Sequence, residues 1–504
     1  MRSRKAVLNI IISFIFELVT IISGFLLPRL VLRSFGSSTN GITQAVSQFI
    51  GYISLLTAGV GGVTMASLYK PLAEKDINKV SQIIKATELF LRKVSKIFLI
   101  ALLIFAVAFP WFTIDEFNFP FTFSLIIILG IGTFGNYYFG LTYRMLLNAD
   151  QKQYVIKIVQ IIVLVLHTFA SVLLINNGFS IHIVKLVSAL IYLINPVFFY
   201  LYVRKKYKLD RFVEPDNSAI SQRWDAFAQQ VANFVNDNTD LVLLSIFKNM
   251  KEVSVYTVYY LIFNAIRMMI NSIILGMHSV FGNMLAKNEK KTLDKYFRLY
   301  EFLLHSVSIV LYTSMALLIT PFIDIYTSGI TDVDYHRPIF GYVISVLGFF
   351  IAVRIPYQSL ARAAGHFKQT KKGAIIEACL NIVVSLILVI PFGMVGLAIG
   401  TLFAMLFRTI QYGIYTSKNI LERELTVLIK RYIISFISVL IILFMVHYIP
   451  KVEFVNYYSW IINGIIITGT GIIVTFLISI LFYKNELLGM KEFIVRIFKK
   501  RRLN

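Results

Sequence analysis

Two short stretches of similar sequence, one in each half of the chain, decide the fold. They are "LAEKD" at Leu72–Asp76 and "LAKNE" at Leu285–Glu289, roughly 210 residues apart. A second pair, "YRMLLNADQ" at Tyr143–Gln151 and "YQSLARAAG" at Tyr357–Gly365, has almost the same separation. Each stretch follows a long apolar segment. Two independent pairs with one offset indicate that the chain contains a duplication.

The apolar segments predict a polytopic membrane protein. The 504 residues are 57% hydrophobic, which is more than a soluble chain of this size can bury. Apolar runs of about 20 residues recur, as in membrane-spanning helices. We predict an all-α fold with about fourteen spans. They lie near residues 6–31, 41–67, 94–113, 121–146, 155–175, 180–203, 226–247, 254–284, 300–323, 339–361, 372–391, 393–416, 430–449 and 458–483. The first has a basic start like that of a signal peptide, but it contains Glu17 and lacks a cleavage site, so we expect it to be a span.

The duplication groups these spans into two lobes. Because the offset contains an even number of spans, both halves have the same orientation, with a pseudo-two-fold axis along the membrane normal. We predict a six-helix N-lobe at 1–203, a cytoplasmic linker at 204–225 and a six-helix C-lobe at 226–418. Residues 419–504 hold spans 13 and 14 and a basic cytoplasmic tail. Such a pair of lobes predicts a transporter with a cavity between them.

Basic residues collect in alternate connections. The chain has 49 Lys and Arg against 26 Asp and Glu, a net charge of +23. Most of the basic residues lie in every second loop and at both ends, whereas the loops between, such as "INNGFS", are short and neutral or acidic. The positive-inside rule therefore predicts cytoplasmic N- and C-termini and explains the charge without nucleic acid. The single cysteine, Cys379, excludes an intrachain disulfide and a Cys-based metal site.

Span 7 carries an unusual polar stripe in "QQVANFVNDNTDLVLLSIF", residues Gln229–Phe247. Its polar residues Gln230, Asn233, Asp237 and Asp240 are spaced by three and four, so they share one helix face. A stripe of this kind cannot face lipid. Either Asp237 and Asp240 bind a coupling ion in a wet cavity, or they pair with Arg267 of the next span and hold the helices together.

Other charges inside the predicted spans are functional candidates, because a charge in a membrane is costly. They are Glu17, Arg29, Lys185, Arg267, Arg354, Glu377 and Arg408. Arg267 is the deepest arginine, and Arg354 precedes Pro356, which can kink its helix. A guanidinium stays charged and suits a diphosphate. Arg29 can serve the same purpose or reach the interface.

The remaining charges have simpler alternatives. Glu17 and Glu377 are candidates for a proton or cation site, or for pairing with an arginine. Lys185 and Arg408 lie nearer span ends, where we expect their side chains to reach the interface.

Aromatic and histidine residues offer weaker signals. Tyr137 and Tyr138 can stack on sugar rings, although an interfacial aromatic belt also explains them. His167 and His305 are most simply core histidines. The chain has no phosphate-binding glycine loop and no cluster with metal-ligand spacing, so we predict no enzyme and no metal site. The "DVD" at Asp332–Asp334 offers a metal-binding pattern, but its loop is too short for a catalytic ectodomain.

One known family shares several of these patterns. The segment "SFIFELVTIISGFLLPRLVLRSFGSSTNGITQAVSQFIGYISLLTAGVGGVTMASLYKPLAEKD", Ser13–Asp76, resembles the polysaccharide transporter family. The shared features are a first span ending in Pro-Arg, a "G...NG" turn, a small-residue-rich second span and an "LA..D" surface helix. Elements at Asn236–Asp240 and Ala363–Lys368 are also similar. These proteins are O-antigen and capsule repeat-unit flippases of the multidrug/oligosaccharidyl-lipid/polysaccharide flippase superfamily.

The resemblance implies a function. It implies a flippase that moves undecaprenyl-diphosphate-linked oligosaccharide from the cytoplasmic to the outer leaflet by alternating access. Arg29, Arg267 and Arg354 would bind the diphosphate, with Tyr137, Tyr138 and Asn233 toward the sugar. Asp237, Asp240, Glu17 and Glu377 would couple transport to Na+ or H+ or pair with arginines, and no other cofactor is expected.

The resemblance also implies a cellular location and partners, and it leaves two alternative functions open. We expect a functional monomer in the bacterial cytoplasmic (inner) membrane, with membrane lipids, the lipid-linked oligosaccharide, a polysaccharide polymerase and chain-length machinery as partners. The alternatives are a cation-coupled drug or small-solute antiporter of the same superfamily, and a membrane-embedded polysaccharide polymerase or glycosyltransferase. Several buried arginines argue against the first alternative, and short outer loops argue against the second.

Overall fold

The computed structural model describes residues 2–57, 60–210, 212–220, 239–274, 281, 284, 285, 287, 289–450 and 452–501. This part of the chain is helical and contains no strand. The first half forms α1 (Arg2–Ser54), α2 (Val60–Glu74), α3 (Ile77–Ala108), α4 (Phe119–Gly135), α5 (Leu141–Ala149), α6 (Gln153–Asn176), α7 (Ile181–Tyr192) and α8 (Ile194–Lys206). The second half forms α9 (Met250–Ile274), α10 (Lys290–Tyr326), α11 (Pro338–Ala363), α12 (Phe367–Asn419), α13 (Leu425–Tyr448), α14 (Tyr457–Phe482) and α15 (Lys484–Arg501). Short 3-10 turns occur at Leu55–Thr57, Phe109–Phe112 and Asn217–Ile220, and a π-helical turn occurs at Asn136–Gly140.

The helices have the lengths that membrane spans require. In the described residues, 11 helical stretches are long and apolar enough to cross a membrane. Two of them contain two predicted spans each, because α1 bends at Gly36 and α12 bends at Gly393, both with positive φ. Of the predicted seventh span, residues 239–247 are helical and 226–238 lie outside the described residues. The predicted all-α polytopic membrane fold is confirmed.

The repeated sequence motifs occupy repeated structural positions. Asp76 ends "LAEKD" and caps α3, accepting a hydrogen bond from the Lys79 backbone N–H at 2.9 Å. Glu289 ends "LAKNE" and lies at the same place before α10. The second pair of motifs ends helices: Gln151 follows α5 and Gly365 follows α11, both with positive φ. The duplication therefore repeats helix starts and helix ends alike.

The described chain divides into two compact units. Unit 1 comprises Met1–Thr257 and Gly329–Val333, and unit 2 comprises Val258–Ser328 and Asp334–Asn504. The boundaries predicted above for the N-lobe, linker and C-lobe stay predictions. The core of unit 1 joins α2, α3, α5, α6 and α8 through buried aliphatic side chains and Phe199. In unit 2, α10, α13 and α14 share a second apolar core, which includes Ile309, Ile442 and Ile467.

The "G...NG" turn is a packing junction of unit 1. Gly36 adopts φ +82°, which glycine tolerates, and the next residue, Ser37, donates from its N–H and its hydroxyl to Asp332, each at 2.7 Å. The Asn40 amide donates to the Ser254 hydroxyl at 2.8 Å. A Cβ on Gly41 would lie 1.7 Å from the backbone oxygen of Met250. The motif therefore fixes α1 against the start of α9 at a distance that only glycine permits.

Candidate functional site

A large cavity opens among the helices of unit 1. It has a volume of about 710 Å³ and is bordered by α1, α4, α5, α6, α7, α8 and the π-helical turn. Its polar lining consists of Thr20, Ser47, Ser54, Thr133, Asn136, Tyr137, Arg144, Gln160, His167, Lys185, Ser188, Tyr192 and Asn195. We call it the Lys185 cavity. Its volume falls within the range of small-molecule sites, and many of its lining residues are polar.

The Lys185 cavity carries an excess of positive charge. Arg144 and Lys185 are part of its wall. Lys157 lies within electrostatic reach of Arg144, and its ammonium sits 3.6 Å from the centre of the Phe16 ring. The ammonium of Lys157 is 3.7 Å from the carboxylate of Glu17. Two cations therefore border the cavity itself, with the Lys157–Glu17 pair beside it, and the balance favours an anionic occupant.

The π-helical turn shapes one wall of this cavity. Such a turn inserts an extra residue into a helix and often marks a functional site. Here it rotates Asn136 and Tyr137 into the cavity lining. The turn packs tightly, since a Cβ on Gly140 would come within 2.9 Å of the Pro196 backbone. Tyr137 thus borders the cavity, and its proposed sugar contact stays a prediction.

Tyr138, the neighbour of Tyr137, has different surroundings. Its ring stacks on Phe134 at 5.7 Å and contacts Phe139. The guanidinium of Arg92 lies 5.5 Å from the centre of the Tyr138 ring. Tyr138 is not part of the Lys185 cavity wall, so its proposed sugar contact stays a prediction.

The predicted acidic residues of the first unit have defined surroundings. Glu17 pairs with Lys157, a lysine that the sequence analysis did not single out. Asp240 is buried, and its carboxylate accepts a hydrogen bond from the Tyr256 hydroxyl at 3.4 Å. Asn233 and Asp237 lie outside the described residues.

The three arginines predicted for diphosphate binding are spread over several helices. Arg29 is half-buried on α1, and Arg267 is half-buried on α9, within electrostatic reach of Tyr312. Arg354 on α11 donates to Glu377 on α12 at 2.6 Å. The proposed pairing of the span 7 aspartates with Arg267, like the diphosphate role of all three arginines, stays a prediction.

Glu377 is shared between two arginines in unit 2. Besides Arg354, it contacts Arg408 at 3.2 Å, and both arginine side chains are at most 13% exposed. Arg408 also donates to the Thr370 carbonyl at 3.0 Å and to the Tyr412 hydroxyl at 2.9 Å. The expectation that Arg408 reaches the membrane interface is wrong, because a carboxylate and a carbonyl within the helix pair hold it inside. The corresponding expectation for Lys185 is also wrong, since Lys185 borders the cavity of unit 1.

A second buried ion network in unit 2 was missed by sequence reasoning. Glu301 on α10 is fully buried and accepts two hydrogen bonds from Arg423, at 2.7 and 3.1 Å. Arg431 on α13 contacts Glu301 at 3.4 Å and Glu486 on α15 at 3.7 Å. The Tyr357 hydroxyl donates to Glu301 as well. These residues begin or flank predicted spans, where their charges looked like ordinary interfacial charges.

Histidines and the "DVD" segment have structural partners. His305 is buried and its Nδ1 lies 2.9 Å from the Ser435 hydroxyl, whereas His167 borders the Lys185 cavity beside Tyr192, at 3.4 Å. Asp332 accepts the hydrogen bonds from Ser37, and Asp334 pairs with Arg337 at 2.6 Å. Among the residues that the structure describes, no group of three or more His, Cys, Asp or Glu could hold a metal ion.

Similarity to known proteins is found in three dimensions. The sequence matches no protein-family profile and no curated protein. The lipid II flippase MurJ, in an inward closed conformation, superposes with a TM-score of 0.71 at 18% identity, covering 95% of this chain and 100% of MurJ. An inward-facing multidrug resistance MATE family transporter of the MOP superfamily gives a TM-score of 0.61 at 14% identity, covering 81% of this chain and 97% of the transporter.

A third similar structure is that of the MATE multidrug transporter DinF-BH. It gives a TM-score of 0.58 at 15% identity, covering 82% of this chain and 95% of the transporter. All three structures are of flippases or transporters. The resemblance inferred from the sequence is confirmed for the fold.

Proposed function

We propose that this chain, which has the fold of the multidrug/oligosaccharidyl-lipid/polysaccharide flippase superfamily, is a flippase for a diphosphate-linked lipid oligosaccharide. The substrate class is an undecaprenyl-diphosphate repeat unit, moved from the cytoplasmic to the outer leaflet. The observation that carries the proposal is the positive charge of the Lys185 cavity, whose described lining includes Arg144 and Lys185 and no Asp or Glu.

The sign of this charge discriminates between substrates. Cations in a low-dielectric region repel one another unless water or an anion compensates them. A diphosphate supplies the compensating charge, and its oxygens accept charge-assisted hydrogen bonds from guanidinium and ammonium groups. A cationic drug would add to the repulsion. The charge of the cavity therefore favours the lipid-linked substrate over the drug antiporter.

The polar uncharged lining fits the sugar part of such a substrate. Asn136, Gln160 and Asn195 offer amide donors and acceptors, and Tyr137 offers a ring face beside them. Hydroxyl-rich sugars need this mixture of hydrogen bonds and aromatic surface. The polyprenyl tail would stay in the bilayer while the polar head passes.

Coupling and setting belong to the same proposal. We propose that Na+ or H+ drives transport through Asp237, Asp240 or Glu377, and that Arg29, Arg267 and Arg354 receive the diphosphate at another stage of the cycle. We further propose the bacterial inner membrane as location, cytoplasmic termini, and a monomer that supplies a polysaccharide polymerase and its chain-length machinery.

The experiment uses proteoliposomes and a fluorescent diphosphate-linked lipid oligosaccharide. Arrival of the substrate in the outer leaflet is read by access to a membrane-impermeant quencher. We expect transport by the wild-type protein and a loss of at least tenfold in Arg144→Gln/Lys185→Gln, because each charge-assisted hydrogen bond contributes about 1.5–3 kcal/mol.

The control replaces two exposed lysines of α3, Lys93→Gln/Lys96→Gln, and changes the net charge by the same amount. Equal loss in both variants would overturn the role of the cavity. No substrate movement by the wild-type protein, together with export of a cationic dye in a parallel assay, would replace the proposal with the drug antiporter.

A further inference from the structure

A second charged pocket of unit 1 lies at the ends of predicted spans. It has a volume of about 500 Å³ and is lined by Ser81, Ile84, Lys85, Glu88, Arg92, Tyr143, Tyr200, Val203, Arg204, Tyr207, Lys208, Leu209 and Asp210. We call it the Arg204 pocket. Its walls come from the first turns of α3, the start of α5, the end of α8 and the segment 207–210 that follows.

The charge of this pocket is positive once its own ion pairs are counted. Four cations border it, Lys85, Arg92, Arg204 and Lys208, against the carboxylates of Glu88 and Asp210. Glu88 is paired with Arg92 one helical turn later. A carboxylate oxygen of Asp210 accepts a hydrogen bond from the Phe212 backbone N–H at 2.9 Å. Both carboxylates are therefore engaged locally, and two positive charges remain in excess.

Three tyrosines give the pocket fixed hydrogen-bonding groups. Tyr143 and Tyr200 contact each other edge to face, with ring centres 5.5 Å apart. The Tyr207 hydroxyl donates to Asp150 and accepts from the Lys152 ammonium at 2.9 Å. Burial, together with the nearby Asp150 carboxylate, raises the pKa of Tyr207 well above its usual value. This ring therefore stays neutral and held in place.

Hydrogen bonds also fix the segment 207–210, which closes the pocket. The Asp210 backbone N–H donates to the Ser81 hydroxyl of α3 at 3.1 Å, and the Tyr207 N–H bonds to the Val203 carbonyl of α8 at 2.8 Å. These hydrogen bonds hold the cations of α3, Arg204 of α8 and Lys208 around one volume. A volume bordered by arginines, lysines and tyrosine hydroxyls matches the oxygen-rich, multiply charged surface of a phosphate group.

We propose that the Arg204 pocket binds a phosphate-bearing ligand, taken either from an anionic lipid headgroup at the membrane surface or from a soluble phosphate compound. The site is separate from the Lys185 cavity, because the adjacent residues Tyr143 and Arg144 of α5 border different volumes. It does not depend on the proposed transport reaction.

The test measures binding to full-length protein that carries Arg144→Gln/Lys185→Gln, so that the cavity contributes little. One arm titrates pyrophosphate into protein in phosphatidylcholine nanodiscs by calorimetry. The other arm replaces part of the phosphatidylcholine with phosphatidate and counts retained lipids by native mass spectrometry. Saturable pyrophosphate binding identifies a soluble phosphate ligand, and selective phosphatidate retention identifies a lipid headgroup.

The decisive variants each remove two cations at or just after the end of α8. They differ in whether those cations border the pocket. We expect Arg204→Gln/Lys208→Gln to weaken the bound phosphate at least tenfold. Lys205→Gln/Lys206→Gln removes two exposed cations that do not border the pocket and should leave binding unchanged. Equal weakening by both pairs would overturn the site in favour of general surface charge. Absence of binding in both arms would overturn it as well.

Discussion

The two units of the chain hold their intramembrane charges in opposite ways. In unit 1, Arg144 and Lys185 border an open volume of about 710 Å³, and the Lys157–Glu17 pair lies beside it. In unit 2, arginines are packed against carboxylates in two buried networks centred on Glu377 and Glu301. Cations that border an open volume are suited to a ligand, whereas arginines packed against buried carboxylates are suited to joining helices.

Solvation explains why the two arrangements have different consequences. A buried ion pair gains little net stability, but removal of one partner leaves a charge with neither water nor counterion. Cations at an open cavity keep access to water, so their removal costs little stability. Mutations of the unit 1 cations should therefore reduce transport, whereas mutations of the unit 2 ion pairs should reduce stability.

The largest effect is expected at Glu301. Its replacement, Glu301→Gln, leaves Arg423 and Arg431 buried without their shared carboxylate, and we expect a loss of about 3–5 kcal/mol in the free energy of unfolding. Denaturation of the purified protein in detergent measures it. The control is Glu422→Gln, since Glu422 pairs with Lys290 on the surface with both side chains more than 60% exposed, and we expect about 0–1 kcal/mol there. Equal losses would show that burial does not set the contribution of these ion pairs to stability.

The second effect is a loss of transport without a comparable loss of stability. We expect Arg144→Gln/Lys185→Gln to lower transport at least tenfold but to change the free energy of unfolding by about 1 kcal/mol or less. The same protein preparation provides both measurements. A loss of stability as large as that of Glu301→Gln would show that these cations join helices, as the unit 2 arginines do, and would remove them from the binding site.

The third effect tests how close backbone packing holds unit 1 together. A methyl group at Gly41 would collide with the Met250 backbone, so Gly41→Ala forces α1 away from α9 and should cost about 1–3 kcal/mol. Gly24→Ala, on the same helix with nothing within 4 Å, should be neutral. Thermal unfolding of both variants measures the difference. A neutral Gly41→Ala would mean that this junction does not support unit 1.

The sequence predicted the helices because length and hydropathy dictate membrane spans. The repeat could be recognised because its motifs mark helix starts, as "LAEKD" does, or helix ends that are followed by a residue with positive φ. Local chemistry fixes both features. The site was less readable. Lys157 and Arg144 lie near the ends of predicted spans, where basic residues usually face the interface. Only the packing of six helices and a π-helical turn places Arg144 at the cavity and the Lys157–Glu17 pair beside it.

Pairing between helices was also beyond the sequence. Glu377 was a candidate for an ion site or an arginine partner, and two arginines from different helices contact it. Glu301 gave no signal, because its partners Arg423 and Arg431 are over 120 residues away. Long-range pairs of this kind leave no periodic pattern in one sequence.

The smallest effect is expected at Glu17, whose pair with Lys157 lies beside the Lys185 cavity. Its side chain is 43% exposed, so the Lys157 pair contributes about 1 kcal/mol or less to stability. Glu17→Gln increases the positive charge of the cavity, and we expect the apparent KM for the diphosphate-linked substrate to fall by about two- to fivefold. Glu74→Gln, in an exposed pair with Lys70, is the control. Loss of transport with an unchanged KM would instead assign Glu17 to ion coupling, and the cavity charge would then serve the driving ion as well as the substrate.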